Sequence, residues 1–288
     1  MESEYLAWLK ATPKDIFYEG GAFWSVYQGA VMPALPFPAY YKLNSKQAKS
    51  LLKLTNAWLL CYSSDPQDKE TSWWYVVCDK FDPANLSGKT RQNIKRGRRE
   101  CIVKEIGAEW LAMNGYQCYI SAVTRYKGKS PVSQNQFRNL ILNTLGGPFS
   151  YWGVFYRENL AGYCQCIIDE KQVATNVTKY DPQYLKHRSA YALIDELIKK
   201  YVVSQGMILS NGNRSIAHNT NYQDVLISLG FQKKYCKLNV VYNPLLKFGL
   251  SAFYPVLSSI KWLPGRYPFD KLAALVCLEK IRRESFAG

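Results

Sequence analysis

Val173-Ala174-Thr175-Asn176-Val177-Thr178-Lys179-Tyr180-Asp181-Pro182 opens the stretch that decides the fold, residues 173–242. Val173, Thr175 and Val177 alternate with Ala174, Asn176 and Thr178, the two-residue period of a strand, and Tyr180-Asp181-Pro182 is turn chemistry that stops it. A helix follows. Ala190, Leu193, Ile194, Leu197, Ile198 and Tyr201 form an apolar stripe at helical spacing, Asp195, Glu196, Lys199 and Lys200 take the other face, and Gly206 sits past the end as a stop. Residues 207–210 read as a short buried strand that Asn211-Gly212-Asn213 interrupts. A helix over 219–229 carries Val225, Leu226 and Leu229, and Gly230 ends it directly before a strand over 232–241.

The chain on either side supports a sheet around this unit. Residues 152–157 and 160–168 read as a hairpin across Glu158-Asn159, both strands aromatic and β-branched. Cys164 and Cys166 lie two apart on one face of its second strand, where packing is a commoner role for thiols than catalysis. Upstream, a helix over 133–145 has Ser133 as N-cap, Gly146-Gly147-Pro148 as stop, and Gln134, Phe137, Leu140, Ile141 and Leu145 as its apolar edge. Strands are expected at 57–62 and 73–78, a helix from Ser45, and an irregular or short-stranded entry over residues 1–44. Beyond Tyr242, an apolar and aromatic run over 245–262 is broken by Pro255. A turn at Pro264-Gly265-Arg266 then leads to a basic amphipathic helix over 269–283. That arm reads either as packing on the domain or as a segment for an anionic membrane surface or a partner. Antiparallel strands, a crossover helix and further strands make an α/β fold with a mixed sheet flanked by helices.

The 288 residues carry 37 Lys plus Arg against 22 Asp plus Glu, a net charge of +15. A field of that sign attracts phosphates, nucleic acid or anionic surfaces. It is concentrated over 89–104, where Lys89, Arg91, Lys95, Arg96, Arg98, Arg99 and Lys104 face a single acid, Glu100. On a helix Arg91, Lys95, Arg98 and Arg99 share one face while Ile94 turns inward; such a face is either simply solvated or an anion cradle for a phosphorylated donor or nucleic acid. Eight cysteines are scattered without a Cys-x-x-Cys pair, and with two histidines a metal site is not expected. The N-terminal residues lack a signal-peptide pattern and no apolar run is long enough to span a bilayer, which sets the expectation of a cytoplasmic protein. Neither a Gly-x-Ser-x-Gly elbow nor a Walker loop occurs, against hydrolase and ATPase readings.

The order of elements over 173–242, with His218-Asn219-Thr220-Asn221 and Ser228-Leu229-Gly230-Phe231, resembles the GNAT acyltransferase superfamily. In that family an Asn opens the helix before Leu-Gly-Phe and the last long strand, and Asn219 stands at the matching spacing. The family's acid Tyr position falls on Leu226. The family's Arg/Gln-x-x-Gly-x-Gly/Ala turn aligns with Leu185-Lys186-His187-Arg188-Ser189-Ala190, where only the final small residue matches. Residues 86–99, from Leu86-Ser87-Gly88 to Arg98-Arg99, resemble the basic segment of Fem-type aminoacyltransferases. Together the resemblances cover about residues 73–243 and imply three parts: a partial related N-terminal domain with the basic helix over 1–104, a GNAT-like acyltransferase domain over 105–243, and a C-terminal arm over 244–288.

The resemblance implies transfer of an acyl or aminoacyl group from acyl-CoA, acetyl-CoA or an aminoacyl-tRNA to an amine-bearing acceptor, without a metal. The start of the long helix, at Lys186, His187, Arg188, Ser189 and Ala190, offers free N–H groups and positive charge where a donor phosphate would lie. Asn219 would bond the pantetheine arm or only cap its helix. Tyr180, Asp181 and Tyr235 are candidates for proton transfer, with His187 and His218 beside them. The rival reading is a non-catalytic basic protein that binds nucleic acid or an anionic surface.

Overall fold

The structure, a computed structural model, describes residues 3–12, 15–124, 130–216, 221–259 and 269–285. In chain order its elements are α1 (Glu4–Ala11), β1 (Ile16–Glu19), β2 (Ala22–Tyr27), β3 (Ala30–Pro33), α2 (Ser45–Thr55), β4 (Leu59–Pro66) and β5 (Trp74–Cys78). The middle of the chain forms α3 (Gly88–Glu100), β6 (Cys101–Ile106), α4 (Ala108–Asn114), α5 (Tyr116–Val123), α6 (Gln134–Leu142), β7 (Phe149–Tyr156), β8 (Asn159–Asp169) and β9 (Gln172–Tyr180). There follow α7 (Ser189–Leu197) with a π-helical continuation (Ile198–Ser204), β10 (Ile208–Asn213), α8 (Tyr222–Ser228), β11 (Gln232–Tyr242), α9 (Pro244–Ser259) and α10 (Phe269–Ser285). These elements fold into two compact units: Met1–Trp8, Val76–Gly212 and Thr220–Lys233 form the first, and Leu9–Tyr75, Asn213–Asn219 and Lys234–Gly288 the second.

The first unit is built on strands in the order β10-β9-β8-β7-β6, antiparallel except for the parallel pair β10/β9. Successive side chains of a strand point to opposite faces, and the sheet has a helix layer on each. Tyr151 and Tyr163 join Leu111, Cys118, Phe137 and Ile141 in a core with α4, α5 and α6. Trp152 turns the other way, where its indole N–H donates to the Tyr201 hydroxyl beyond α7 at 3.0 Å. The α7 stripe is as expected, with Leu193, Ile194, Leu197 and Ile198 fully buried, but Asp195, expected on the opposite face, is buried too, under Arg98 of α3. Three further expectations are corrected. The hairpin turns one residue early, at Arg157-Glu158, because Tyr156 pairs with Asn159 and Arg157 takes φ +54°. The inner edge of α6 is Phe137 and Ile141, while Gln134, Leu140 and Leu145 face solvent. Asn211-Gly212-Asn213 does not break β10, since Asn211 bonds the Thr175 hydroxyl at 2.8 Å and the strand runs on to Asn213.

The second unit holds strands in the order β1-β2-β3-β4-β11, antiparallel except for the parallel pair β3/β4. Trp24, Val31, Leu51, Leu60 and Tyr62 form its core with α2, whose Asn44 and Gln47 make a reciprocal capping box. The entry is therefore three strands preceded by a helix, α1, that the sequence pattern does not announce. Pro255 lies inside α9 rather than breaking it. Its missing N–H leaves the carbonyl of Ser251 without its helical partner, and Ser251 is exposed, so water can serve instead. The turn expected at 264–266 lies outside the described residues. No helix among the described residues is long and apolar enough to cross a membrane.

Candidate functional site

The first unit contains a branch point in its sheet. β9 and β10 pair over three positions only, Gln172, Val173 and Ala174 against Ile208, Leu209 and Ser210. From Thr175 onward β9 has no strand beside it on that edge among the described residues. Side chains take over where the ladder stops: the Thr175 hydroxyl donates to the Ser210 carbonyl at 3.1 Å and accepts from the Asn211 amide at 2.8 Å. One residue later β9 bulges. Gln165 of β8 faces Val177 and Cys166 faces Thr175, which leaves Asn176 as the extra residue. Its side chain is anchored through a buried relay. Asn176 donates to Gln165 at 2.7 Å, Gln165 donates to the Tyr151 hydroxyl at 2.6 Å, and that hydroxyl meets Thr144 at 2.7 Å. A bulge on a strand that has parted from its neighbour exposes backbone N–H groups at a fixed place, the arrangement that binds a carbonyl oxygen as it gains charge.

Tyr180 closes this strand, and its hydroxyl is buried without a partner in bonding geometry. The same holds for Tyr222, at the start of α8. Their rings lie 6.1 Å apart, and the two phenols and the Thr178 hydroxyl face one another. Burial pushes both phenols above the ordinary tyrosine value, so each stays protonated and can donate a hydrogen bond but is a poor base. Nearby, Cys164 meets Thr178 at 3.4 Å and Cys166 at 3.8 Å. Both cysteines are fully buried, and the contact with Cys164, followed by burial, holds Cys166 as a thiol.

The start of α7 adjoins this strand through a 3-10 turn (Pro182–His187). Asp181 is the N-cap of that turn: its carboxylate accepts from the Gln183 backbone at 3.1 Å and from its side-chain amide at 3.2 Å. Arg188 takes φ +60°, the left-handed conformation, at the position where the GNAT pattern has its glycine. The turn is thus kept while the residue is not. The Arg188 Nε is buried without a partner, Lys186 is exposed, and Ala190 is half-buried. Ser189 is buried and donates to the Tyr184 carbonyl at 3.3 Å. His187 stacks on Tyr156 with centroids 3.7 Å apart and meets Glu100 at 2.6 Å. The His187 contact, followed by Arg96, draws the Glu100 carboxyl down to about 2.

The basic helix α3 packs directly on α7. A Cβ at Gly97 would lie 2.8 Å from the Arg188 carbonyl, so only glycine allows that approach. Arg98 makes a two-point bond to Asp195 at 2.7 and 2.8 Å, and Asp195 is 1% exposed. Arg91 folds back on the carbonyl of Leu86 at 2.5 Å. Lys95 and Arg99 are exposed, with Arg99 3.4 Å from Glu100. The four cations of the expected cradle are therefore divided between structural bonds and solvent. Tyr235 belongs to the second unit and bonds Glu70 there. Asn219 and His218 lie outside the described residues, and no cluster able to hold a metal occurs among the described residues.

Sequence reasoning did not select Tyr222. The family's acid position falls on Leu226, buried at 1%, and Tyr222 is four residues earlier, on the same face one turn toward the helix start. That helical spacing was the available signal.

A sheet that parts after a short parallel pairing, a bulge beside the gap and a crossover helix at its mouth define a GNAT-like fold, mixed and mostly antiparallel with helices on its faces. Solved structures share that fold. The C-terminal domain of a protein designated lysylphosphatidylglycerol synthetase, from Agrobacterium fabrum, matches with a TM-score of 0.55 at 8% identity, covering 92% of this chain and 95% of that one. FemX matches with a TM-score of 0.52 at 8% identity, covering 87% and 99%. No family model matches the sequence, and no curated protein matches it.

Proposed function

We propose that this protein is an acyltransferase that moves an acyl or aminoacyl group from a CoA-type or tRNA donor to an amine. The observation that carries the reading is the parting of β9 from β10 after Ala174 and Ser210, with the bulge at Asn176 beside the gap. A thioester or ester carbonyl laid against that edge would have its oxygen met by backbone N–H groups. The amine attacks the carbonyl carbon, the C–S or C–O bond breaks, the nitrogen releases a proton to water, from which the proton donor is later restored, and the leaving atom takes a proton. Tyr222, held as a phenol by burial, is the donor of that proton in this reading. Tyr180 lies beside it, and Asp181 positions the turn between them and α7.

Donor phosphate would lie at the first turn of α7, where Arg188 and Lys186 add charge to free N–H groups. Lys95 and Arg99, exposed on α3, extend the positive field. Fit to a CoA pyrophosphate is supported by the left-handed turn at Arg188 and by its buried, unpartnered Nε. The similarity in fold to FemX and to a protein named for a lysyl lipid supports an aminoacyl donor equally.

A transfer assay with CoA esters and with charged tRNA, each against amine acceptors, tests the reading. Use of acyl-CoA predicts saturable CoA binding that weakens in Lys186→Gln. Use of aminoacyl-tRNA predicts RNA binding whose logarithm falls steeply with salt. Absence of transfer from every CoA ester and every charged tRNA overturns the proposal.

A further inference from the structure

We infer that the second unit carries a docking surface for an anionic phospholipid bilayer, formed by α9 and the basic cavity beneath it. The first observation is an unpartnered apolar stripe. Leu245, Phe248 and Val256 share one line along α9 and are 76%, 77% and 64% exposed, with Phe253 beside them at 61%. Contiguous apolar area of this kind on one helix marks an interaction surface. The stripe runs into a groove of about 510 Å³ that is walled almost entirely by apolar side chains, and Trp58, 56% exposed, stands at it. Tryptophan at the edge of an apolar face suits the boundary between headgroups and acyl chains.

The second observation is charge. Adjoining the groove through Leu245 and Leu250 is a cavity of about 830 Å³ lined by Lys49, Lys53, Lys247, Arg282 and Arg283 with one acid, Glu279. Glu279 is 2% exposed and is spent on its own bonds, 2.7 Å from the Nε of both arginines and 2.9 Å from the Tyr242 hydroxyl. Arg283 is further held 4.0 Å over the Tyr254 ring. The guanidinium is thus fixed in place before any ligand arrives. Three lysines and an oriented arginine beside an apolar stripe match one chemistry: phosphate headgroups above acyl chains. A soluble phosphate needs no apolar stripe, and a second protein copy with the same positive cavity would repel this one. The inference rests on the second unit alone and stands apart from the acyl-transfer reading.

Flotation of the full chain with vesicles tests it, using phosphatidylcholine alone and phosphatidylcholine mixed with phosphatidylglycerol. Binding is expected on the mixed vesicles only, weakening as salt rises. Lys247→Ala and Lys53→Ala should each lower the affinity about fivefold, and Phe248→Ser with Val256→Ser should abolish flotation. All four sites are exposed, so folding checked by thermal melting should be unchanged, and Arg282 is left intact because it neutralises Glu279. Equal binding to both vesicles, or none to either, overturns the inference. So does binding of glycerol phosphate or RNA by the same lysines without flotation, and so does a dimer in solution that the two serine substitutions dissolve while vesicles stay unbound.

Discussion

Replacing Arg98 by Met separates the structural cations of α3 from the ones free to meet a ligand. Arg98 reaches Asp195 through two bonds, at 2.7 and 2.8 Å, and the Asp195 side chain is 2% exposed. Removing one partner of a fully buried pair costs about 3–5 kcal/mol because the remaining charge loses its compensation. Two features reduce that figure here. The Arg98 side chain is 51% exposed, and Lys199 stays 3.1 Å from the same carboxylate. The expected loss is therefore about 2 kcal/mol, read as a lower urea midpoint at unchanged slope. Arg98→Met with Asp195→Leu should recover most of it, to within about 1 kcal/mol of the parent, since an apolar pair of similar volume replaces the ionic one. Lys95→Gln and Arg99→Gln, whose side chains are exposed, should each stay within about 0.5 kcal/mol. A stability of Arg98→Met equal to that of the two controls would refute the argument that α3 is tied to α7 by this pair.

Tyr222→Phe removes a buried hydroxyl that faces Tyr180 and Thr178 outside bonding geometry, so stability should change by no more than about 1 kcal/mol, while transfer should slow by about 10² or more if the phenol protonates the leaving group. Full turnover in that variant would remove Tyr222 from the reaction. Glu100 has its carboxyl drawn down to about 2 by His187 and Arg96. A depressed carboxylate contributes stability that is present above its unfolded value, about 4.3, and is lost as pH falls toward 2. Thermal melts across that window should decline in the parent and less steeply in Glu100→Gln, where Glu279, also drawn down to about 2, still contributes a slope; parallel curves would contradict the linkage. Arg188→Gly should leave stability within about 1 kcal/mol, because relief of the left-handed conformation offsets the greater unfolded freedom of glycine. Its affinity for CoA or tRNA should fall, and unchanged donor affinity would remove Arg188 from the phosphate site.

The elements that local pattern determines were legible. Period-two alternation marked β9, the apolar stripe marked α7, and Leu229-Gly230-Phe231 marked the passage from α8 to β11, because each signal is written within a dozen neighbouring residues. Capping at Ser133 and the inward turn of Ile94 were equally readable. The α/β class with a GNAT-like sheet followed from their order. What only the tertiary structure decided depends on residues far apart in the chain. The three-position pairing of β9 with β10 is a matter of how two strands diverge, and no composition records it. Arg98 looks like any surface cation until Asp195, 97 residues on, is found beneath it. Arg188 carries no glycine signature, yet packing against Gly97 and the turn after Asp181 hold it in the conformation a glycine would take. Tyr180 and Tyr222 become a pair only because α8 returns to the end of β9. The apolar run over 245–262 left both packing on the domain and contact with an anionic surface or partner open, since a sequence gives the spacing of such residues and only packing shows which ones are left uncovered.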